Sequence, residues 1–381
     1  MFKVLIVFGT RPEAIKMAPL VLALRLMPDV FDVKVCVTAQ HREMLDQVLD
    51  IFAIVPDIDL NLMRSKQELA ELTSLILTGM NVIIREEKPD LVLVHGDTTT
   101  TLATSLASFY LGVKVGHVEA GLRTHNLNSP FPEELNRQIV SKIASVHFAP
   151  TEMCKSNLQA EKIEAKKIFV TGNTVIDALN IVLNKIQADK ELNTELMGNL
   201  DRLLGFDWQS EKFVLVTGHR RENFGQGFIE ICSALAELCR RFPSIHFVYP
   251  VHMNPNVQSP VRETLGGLGN MHLIAPMDYT NFLLLLKSCH FVLTDSGGLQ
   301  EEAPSLGKPV LLMRETTERP EALKSGAIKL VGAHKNKIIE TTAKLLEDES
   351  LYAQMANSDN PFGSGDSANE IVSAIKSLFL N

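Results

Sequence analysis

The chain has no Cys-x-x-Cys pair and no net positive charge. It also lacks any apolar run approaching the ~18 residues of a membrane span. Each absence removes a class of function. The five cysteines, Cys36, Cys154, Cys232, Cys239 and Cys289, are odd in number, so neither a disulfide frame nor a zinc knuckle is expected. Cys232 and Cys239 stand two helical turns apart, which fits one buried helix face. A net charge of −8 repels polyanions and disfavours a nucleic-acid-coating role. An anionic ligand must therefore find its positive charge in a few placed side chains. The opening Met-Phe-Lys-Val-Leu-Ile-Val-Phe-Gly is too short for a signal peptide, and a cytoplasmic protein with reduced thiols is expected. Repeats and low-complexity tracts are missing as well. So are a Gly-x-Gly-x-x-Gly fingerprint after a strand and a Gly-x-x-x-x-Gly-Lys-Ser/Thr phosphate loop; Gly266-Gly-Leu-Gly269 has no strand before it.

What is there belongs to an ordinary globular protein, with 45% hydrophobic and 22% charged residues. At ~150 residues per domain, 381 residues make two domains. Short runs rich in Val, Ile and Leu recur between stretches of helical periodicity: Phe2–Phe8, Val33–Thr38, Leu91–Val94, Val113–Val118, Phe213–Thr217, Ile245–Pro250, Phe291–Thr294 and Pro309–Met313. Most are continuously apolar, as parallel strands covered on both faces must be. The fold class is α/β, built from right-handed crossovers. The pattern breaks after Gly172-Asn-Thr174, where a helix from Val175 to about Gln187 is followed by a polar, poorly periodic stretch, 188–211. This divides the chain into 1–171 and 172–365, with 188–211 as a surface excursion. Ser367-x-x-Glu370 reads as a capping box opening a last helix, 366–381. Its apolar face, Ile371, Val372, Ile375, Leu378 and Phe379, is expected to return to the first domain.

Ligands of open parallel sheets bind beyond the C-terminal strand ends. The first strand runs into Gly9-Thr-Arg11-Pro12-Glu-Ala-Ile-Lys16, where Pro12 suits the first helical position and Arg11 and Lys16 flank an anion-favouring helix N-terminus. Asp295-Ser296-Gly297-Gly298-Leu-Gln-Glu301-Glu302 is a second such turn. Its small residues can expose backbone N–H groups to phosphate oxygens, and Glu302 lies within reach of a ribose diol; an unoccupied turn would read the same way. His95-Gly-Asp97 and His117-Val-Glu119 end two strands, and the i, i+2 spacing puts each pair on one strand face. They could be metal ligands, but no third His-rich cluster joins them. Glu133, in Ser129-Pro-Phe-Pro-Glu133-Glu134, adds a carboxylate at a helix start. Thr217-Gly-His219-Arg220-Arg221-Glu-Asn223 offers an acid and two guanidinium groups for a leaving phosphate.

Together these segments resemble the non-hydrolysing UDP-N-acetylglucosamine (UDP-GlcNAc) 2-epimerases of bacteria, and the likeness runs essentially end to end. It rests on FGTRPEAIKMAPL (Phe8–Leu20), TAQHREML (Thr38–Leu45), VHGDTTTT (Val94–Thr101), GHVEAGLRT (Gly116–Thr124), PFPEELNR (Pro130–Arg137), TGHRREN (Thr217–Asn223), TDSGGLQEEAPSLGKPV (Thr294–Val310) and TTERPEA (Thr316–Ala322). The resemblance implies two Rossmann-like parallel-sheet domains, glycosyltransferase-B-like, with the active site in the interdomain cleft, no cofactor, and a homodimer. It puts Asp97, Glu119, Glu133 and His219 in catalytic positions. Arg11 and Lys16 fall near the sugar or diphosphate, Ser296, Gly297, Gly298 and Glu302 on phosphates and ribose, and Arg319 near the nucleotide. Phe282 is kept at the uracil pocket, whereas Met277 stands where the family has glutamine. In some members a second UDP-GlcNAc binds a regulatory site; Gln40, His41, Arg220, Arg221 and His252 match it, while Lys66-Gln67 replaces an Arg-Gln of some regulated members.

The chemistry implied is interconversion of UDP-GlcNAc and UDP-N-acetylmannosamine (UDP-ManNAc). The C2 hydrogen is not beside a carbonyl, so direct deprotonation is too costly, and oxidation at C3 would call for a dinucleotide. Expelling UDP from C1 builds oxocarbenium character, acidifies C2–H and gives a 2-acetamidoglucal; re-addition on the other face inverts C2. An anion clamp, carboxylates and an acid near the phosphate are the parts required. The rivals are a glycosyltransferase of similar fold using a UDP-sugar, a non-catalytic UDP-sugar sensor, and the hydrolysing epimerases.

Overall fold

A computed structural model of the chain describes residues 1–38, 42–62 and 67–380, and their side chains except those of 42–44 and 221. The chain forms two compact units: Met1–Val182 with Phe362–Asn381, and Leu183–Pro361. The first crossing falls inside the helix Thr174–Ala188.

The first unit is built on strands β1 (Phe2–Phe8), β2 (Phe31–Val37), β3 (Ile58–Asp59), β4 (Leu91–His95), β5 (Lys114–Val118), β6 (Val146–Ala149) and β7 (Ile168–Val170). They form one sheet in the order β3-β2-β1-β4-β5-β6-β7, every pair parallel. Val4 to Phe8 are all fully buried because helices cover both faces. On one face Leu5, Val7, Val92 and Val94 meet Ile76, Met80 and Ile84 of the helix Leu69–Glu87 and Ala103 and Ala107 of the helix Thr99–Tyr110. The strand order reverses between β1 and β4, so the loops leaving those two strands diverge and open a crevice at the C-terminal edge.

The second unit repeats the plan with β8 (Phe213–Thr217), β9 (His246–Pro250), β10 (Met271–Ile274), β11 (Phe291–Thr294), β12 (Val310–Leu312) and β13 (Ile328–Leu330), ordered β10-β9-β8-β11-β12-β13. Phe228, Ile231, Leu235 and Leu238 of the helix Gln226–Arg241 pack on Val214, Val216, Phe247 and Tyr249. Its switch point lies between β8 and β11.

Two readings of the sequence need correction. The stretch 188–211 is no excursion but holds a helix, Lys190–Leu204, capped by Asp189 Oδ1 accepting from the N–H groups of Glu191 and Leu192. It buries only Leu196, Leu200 and Leu204, a stripe one residue wide that polar neighbours mask in the sequence. The Ser367 capping box is not formed either, because Ser367 is already the first residue of the helix Ser367–Phe379. Asp177 takes its place, its oxygens accepting from the N–H groups of Ser367 (3.2 Å) and Ala368 (2.9 Å). That helix packs on Arg11–Arg25, and Phe379 stacks on Phe2. All five cysteines are free and buried, and burial pushes Cys36, Cys232, Cys239 and Cys289 up to about 12. Among the described residues no group of His, Cys, Asp and Glu could hold a metal ion, and no helix is long and apolar enough to cross a membrane.

Candidate active site

In the first unit three loops gather carboxylates at the C-terminal edge of the sheet. Gly96 leaves β4 with φ +66° and Glu119 leaves β5 with φ +61°. Positive φ breaks the strand's pleat, so the His-x-Asp and His-x-Glu pairs do not share a strand face as their spacing suggests. His95 and His117 stay buried inside the sheet, while Asp97 and Glu119 are half-buried beyond it. Burial above all lowers both imidazoles to about 4, so neither is charged near neutrality.

The three carboxylates have different partners. Asp97 Oδ2 accepts from Arg137 Nε (2.9 Å) and lies 2.8 Å from Nη2, and its backbone carbonyl accepts from Asn136 Nδ2. Arg137 is fixed in turn by Glu134, whose Oε2 accepts from Nη1 at 3.0 Å. Burial opposes ionisation of Glu134, but hydrogen bonds from Thr124 N–H, Gln138, Arg137 and His125 N–H hold it below the usual carboxylate range. Glu119 is ion-paired with Lys16, and its Oε2 accepts from Asn173 Nδ2 at 2.6 Å and lies 3.8 Å from His95 Nε2. Glu133 opens the helix Glu133–Ile143, and its Oε2 is buried with no hydrogen-bond partner.

The helix Arg11–Arg25 supplies the cations. Arg11 has no carboxylate partner among the described residues, which leaves its guanidinium available for an anion. Glu13, which the sequence reading passed over, organises this corner. Its Oε2 accepts from Gly9 N–H (3.1 Å), Thr10 N–H (2.8 Å) and Thr10 Oγ1 (2.8 Å), and its Oε1 from Thr98 Oγ1 (2.7 Å). It thereby ties the β1 loop to the residue after Asp97. The signal was present as Thr10-x-x-Glu13, a capping box that the structure forms.

In the second unit the corresponding edge is organised by Asp295, fully buried at the end of β11. Its carboxylate accepts from the N–H groups of His219 (2.9 Å) and Arg220 (2.8 Å) and from Asn223 Nδ2 (3.3 Å). The β8 loop is thus held open, with His219 stacked on His252 at 5.3 Å. Gly297 sits in a cationic corner: a Cβ there would stand 3.1 Å from Glu318 Oε1, 3.2 Å from Arg319 Nη1 and 3.3 Å from Arg220 Nη2. Arg319 is buried against Glu301 and Glu318. Burial opposes ionisation of Glu318, but Arg319 and Arg314 prevail and lower it to about 2. Ser296 N–H is already donated to Thr294 Oγ1, which leaves the N–H groups of Gly297 and Gly298 for a ligand. Glu302 Oε1 accepts from Tyr279 Oη at 2.9 Å. Phe282 lies half-buried on the helix Tyr279–Ser288, just after Met277 and the Asp278 cap. Gln40, His41, Lys66 and the Arg221 side chain lie outside the described residues.

Residues 25–376 match the family model described as UDP-N-acetylglucosamine 2-epimerase. The chain belongs to that family. The family is one of isomerases, and the chain is an enzyme of it. The Yersinia pestis UDP-N-acetylglucosamine 2-epimerase is 56% identical over 375 residues, 98% of each chain. A crystal structure of the Neisseria meningitidis UDP-GlcNAc 2-epimerase bound to UDP-GlcNAc superposes with a TM-score of 0.93 at 50% identity, covering 99% of this chain and 100% of that one. The Methanocaldococcus jannaschii UDP-GlcNAc 2-epimerase, solved with UDP-GlcNAc and UDP, gives 0.84 at 33% identity over 99% and 100%. The two parallel-sheet α/β units expected from the sequence are those of the epimerase family.

Proposed function

We propose that this epimerase interconverts UDP-GlcNAc and UDP-ManNAc by loss of UDP from C1 and a proton from C2, followed by re-addition of UDP to C1 and of a proton to the opposite face of C2 in the 2-acetamidoglucal. The observation that carries this reading is the set of three carboxylates in three different settings: one on Arg137, one on Lys16, and one with a buried oxygen that accepts no hydrogen bond. Asp97, held against Arg137, and Glu119, held against Lys16, are assigned to stabilising positive charge growing at C1. Glu133, with a buried oxygen that accepts no hydrogen bond, is assigned to proton transfer at C2. A glycosyl transfer would need an acceptor site and has no use for proton transfer at C2.

The diphosphate is assigned to the N–H groups of Gly297 and Gly298 with Arg220 and Arg319, the ribose to Glu302, and the uracil to the face of Phe282. Arg11 and His219 are assigned to the departing phosphate on the strength of the family resemblance, with His219 as the acid. By the resemblance, the protein works in the cytoplasm as a homodimer and supplies ManNAc units for a bacterial surface polysaccharide.

Incubation with UDP-GlcNAc alone in deuterated water, read by proton NMR, tests the reaction. Both epimers are expected, each with deuterium at C2, without added NAD and without loss of activity after dialysis against a chelator. Product that forms only with an added acceptor, or activity that returns only with a divalent ion, would overturn the reading.

A further inference from the structure

The mechanism leaves His117 without a task, although it lies next to both acidic loops. β4 and β5 are parallel neighbours with His95 opposite Val118 and Val94 opposite His117. Just past them, Gly96 N–H donates to Val118 O at 2.9 Å, and His117 Nε2 lies 2.7 Å from Gly96 O. A carbonyl only accepts, so Nε2 carries the proton and Nδ1 the lone pair. One residue, Gly96, is therefore gripped at its N–H and at its carbonyl, in the two peptide units that flank its Cα, by two consecutive residues of β5. The residue that follows it is Asp97, and the residue that follows the grip on β5 is Glu119.

We propose that His117 is a positioning residue: its Nε2–H bond to Gly96 O fixes Asp97 relative to Glu119 without reaching substrate. The inference rests on the reading of those two carboxylates as reacting groups. Three further facts support it. His117 is 1% exposed and its Nδ1 has no partner, so the side chain faces protein alone. Gly96 has φ +66°, and a Cβ there would come 3.5 Å from Glu119 Oε1, so the turn and the second carboxylate are immediate neighbours. The register partner of His117 on β6, His147, is fully buried with neither ring nitrogen bonded, which leaves the Gly96 carbonyl as the one bonded partner of the two rings among the described residues. Burial keeps both rings neutral, and the tautomer with the proton on Nε2 is then the one form compatible with the grip.

Two amides separate the bond from mere packing. Glutamine carries an N–H where Nε2 stood, and asparagine carries one only where Nδ1 stood, at equal polarity. His117→Gln is expected to keep kcat within about threefold, while His117→Asn loses about 10²-fold in kcat, the cost of a misplacement near 1 Å. KM and UDP affinity, set by other residues, are expected to stay unchanged in both. Equal kcat in the two variants, or a loss seen in KM alone, overturns the positioning role. A second measurement needs no variant: with ¹⁵N-labelled histidine, His117 is expected as the Nε2–H tautomer at pH 7, and the Nδ1–H tautomer or an imidazolium overturns the proposal. Deuterium exchange at C2 by the wild-type enzyme keeps the two readings apart. If the wild type exchanges and the amides behave alike, epimerisation stands and the positioning role falls; if the wild type does not exchange, epimerisation itself falls.

Discussion

Each acidic side chain here does what its neighbours allow. Asp97 and Glu119 are bound to cations, Glu134 is consumed by two backbone N–H groups, Gln138 and Arg137, Glu13 by backbone and hydroxyl donors, and Glu133 keeps a bare oxygen. Asp97→Asn, Glu119→Gln and Glu133→Gln are each expected to cut turnover by ~10²-fold or more. Glu133→Gln should leave UDP affinity intact, since no bond to that oxygen is lost; steady-state kinetics and calorimetry with UDP check both statements, and near-normal turnover in all three would return them to structural roles. Gly297→Ala pushes a methyl among Arg220, Arg319 and Glu318 and is expected to weaken UDP binding by at least ~10-fold, the worth of one charge-assisted hydrogen bond. The identities of these residues were legible in the sequence, because the motifs sit at strand ends where ligands bind. Their partners were not. Nothing in the order of residues says that Asn173 reaches Glu119 or that Arg137 divides itself between Asp97 and Glu134, since such contacts appear only when distant loops share one edge.

Strands that are apolar from end to end announced themselves, and Phe213–Thr217 and Phe291–Thr294 begin and end where the sequence put them. Elements carried by two or three residues did not: β3 and β13 are too short to show a period, and the helix Lys190–Leu204 buries only three of its leucines. That helix is nonetheless anchored in the core, and Leu200→Ala is expected to cost about 2–5 kcal/mol, read from urea unfolding. Loss of under ~1 kcal/mol would make it the polar excursion that the sequence suggested. The final helix is a different case, with its period visible and its cap misread. Asp177→Ala removes the acceptor of two N–H groups and is expected to destabilise the first unit by ~1–2 kcal/mol. Hydrogen exchange at Ser367 and Ala368 should speed up selectively, whereas Ser367→Ala should do little, because its hydroxyl is not the cap.

The molecule as a whole carries its acid sensitivity unevenly. An unfolded imidazole titrates near 6.5, whereas burial lowers His95 and His117 to about 4 and His147 to about 3 in the first unit. Between 6.5 and 4 the unfolded chain binds protons that the folded chain refuses, so stability falls as pH drops through that window. In the second unit His290 is also lowered to about 4, while Glu318, at about 2 against 4.5 unfolded, contributes stability that is lost only as pH falls from 4.5 towards 2. Acid is therefore expected to melt the first unit before the second. Thermal scans from pH 7.5 to 5 with hydrogen exchange check the order, and His147→Phe should flatten the decline; an unchanged slope would sink the account. The chain path also bears on how the protein is made. The second unit is one unbroken stretch set inside the first, so a ribosome finishes it while the first unit still lacks its last twenty residues, Phe362–Asn381. Phe2 leaves the exit tunnel long before Phe379, and its ring must wait for that partner. Until the final helix has been made, the surface that receives it is open to chaperones, and a messenger cut before Ser367 yields a protein whose inserted half is complete and whose outer half is not.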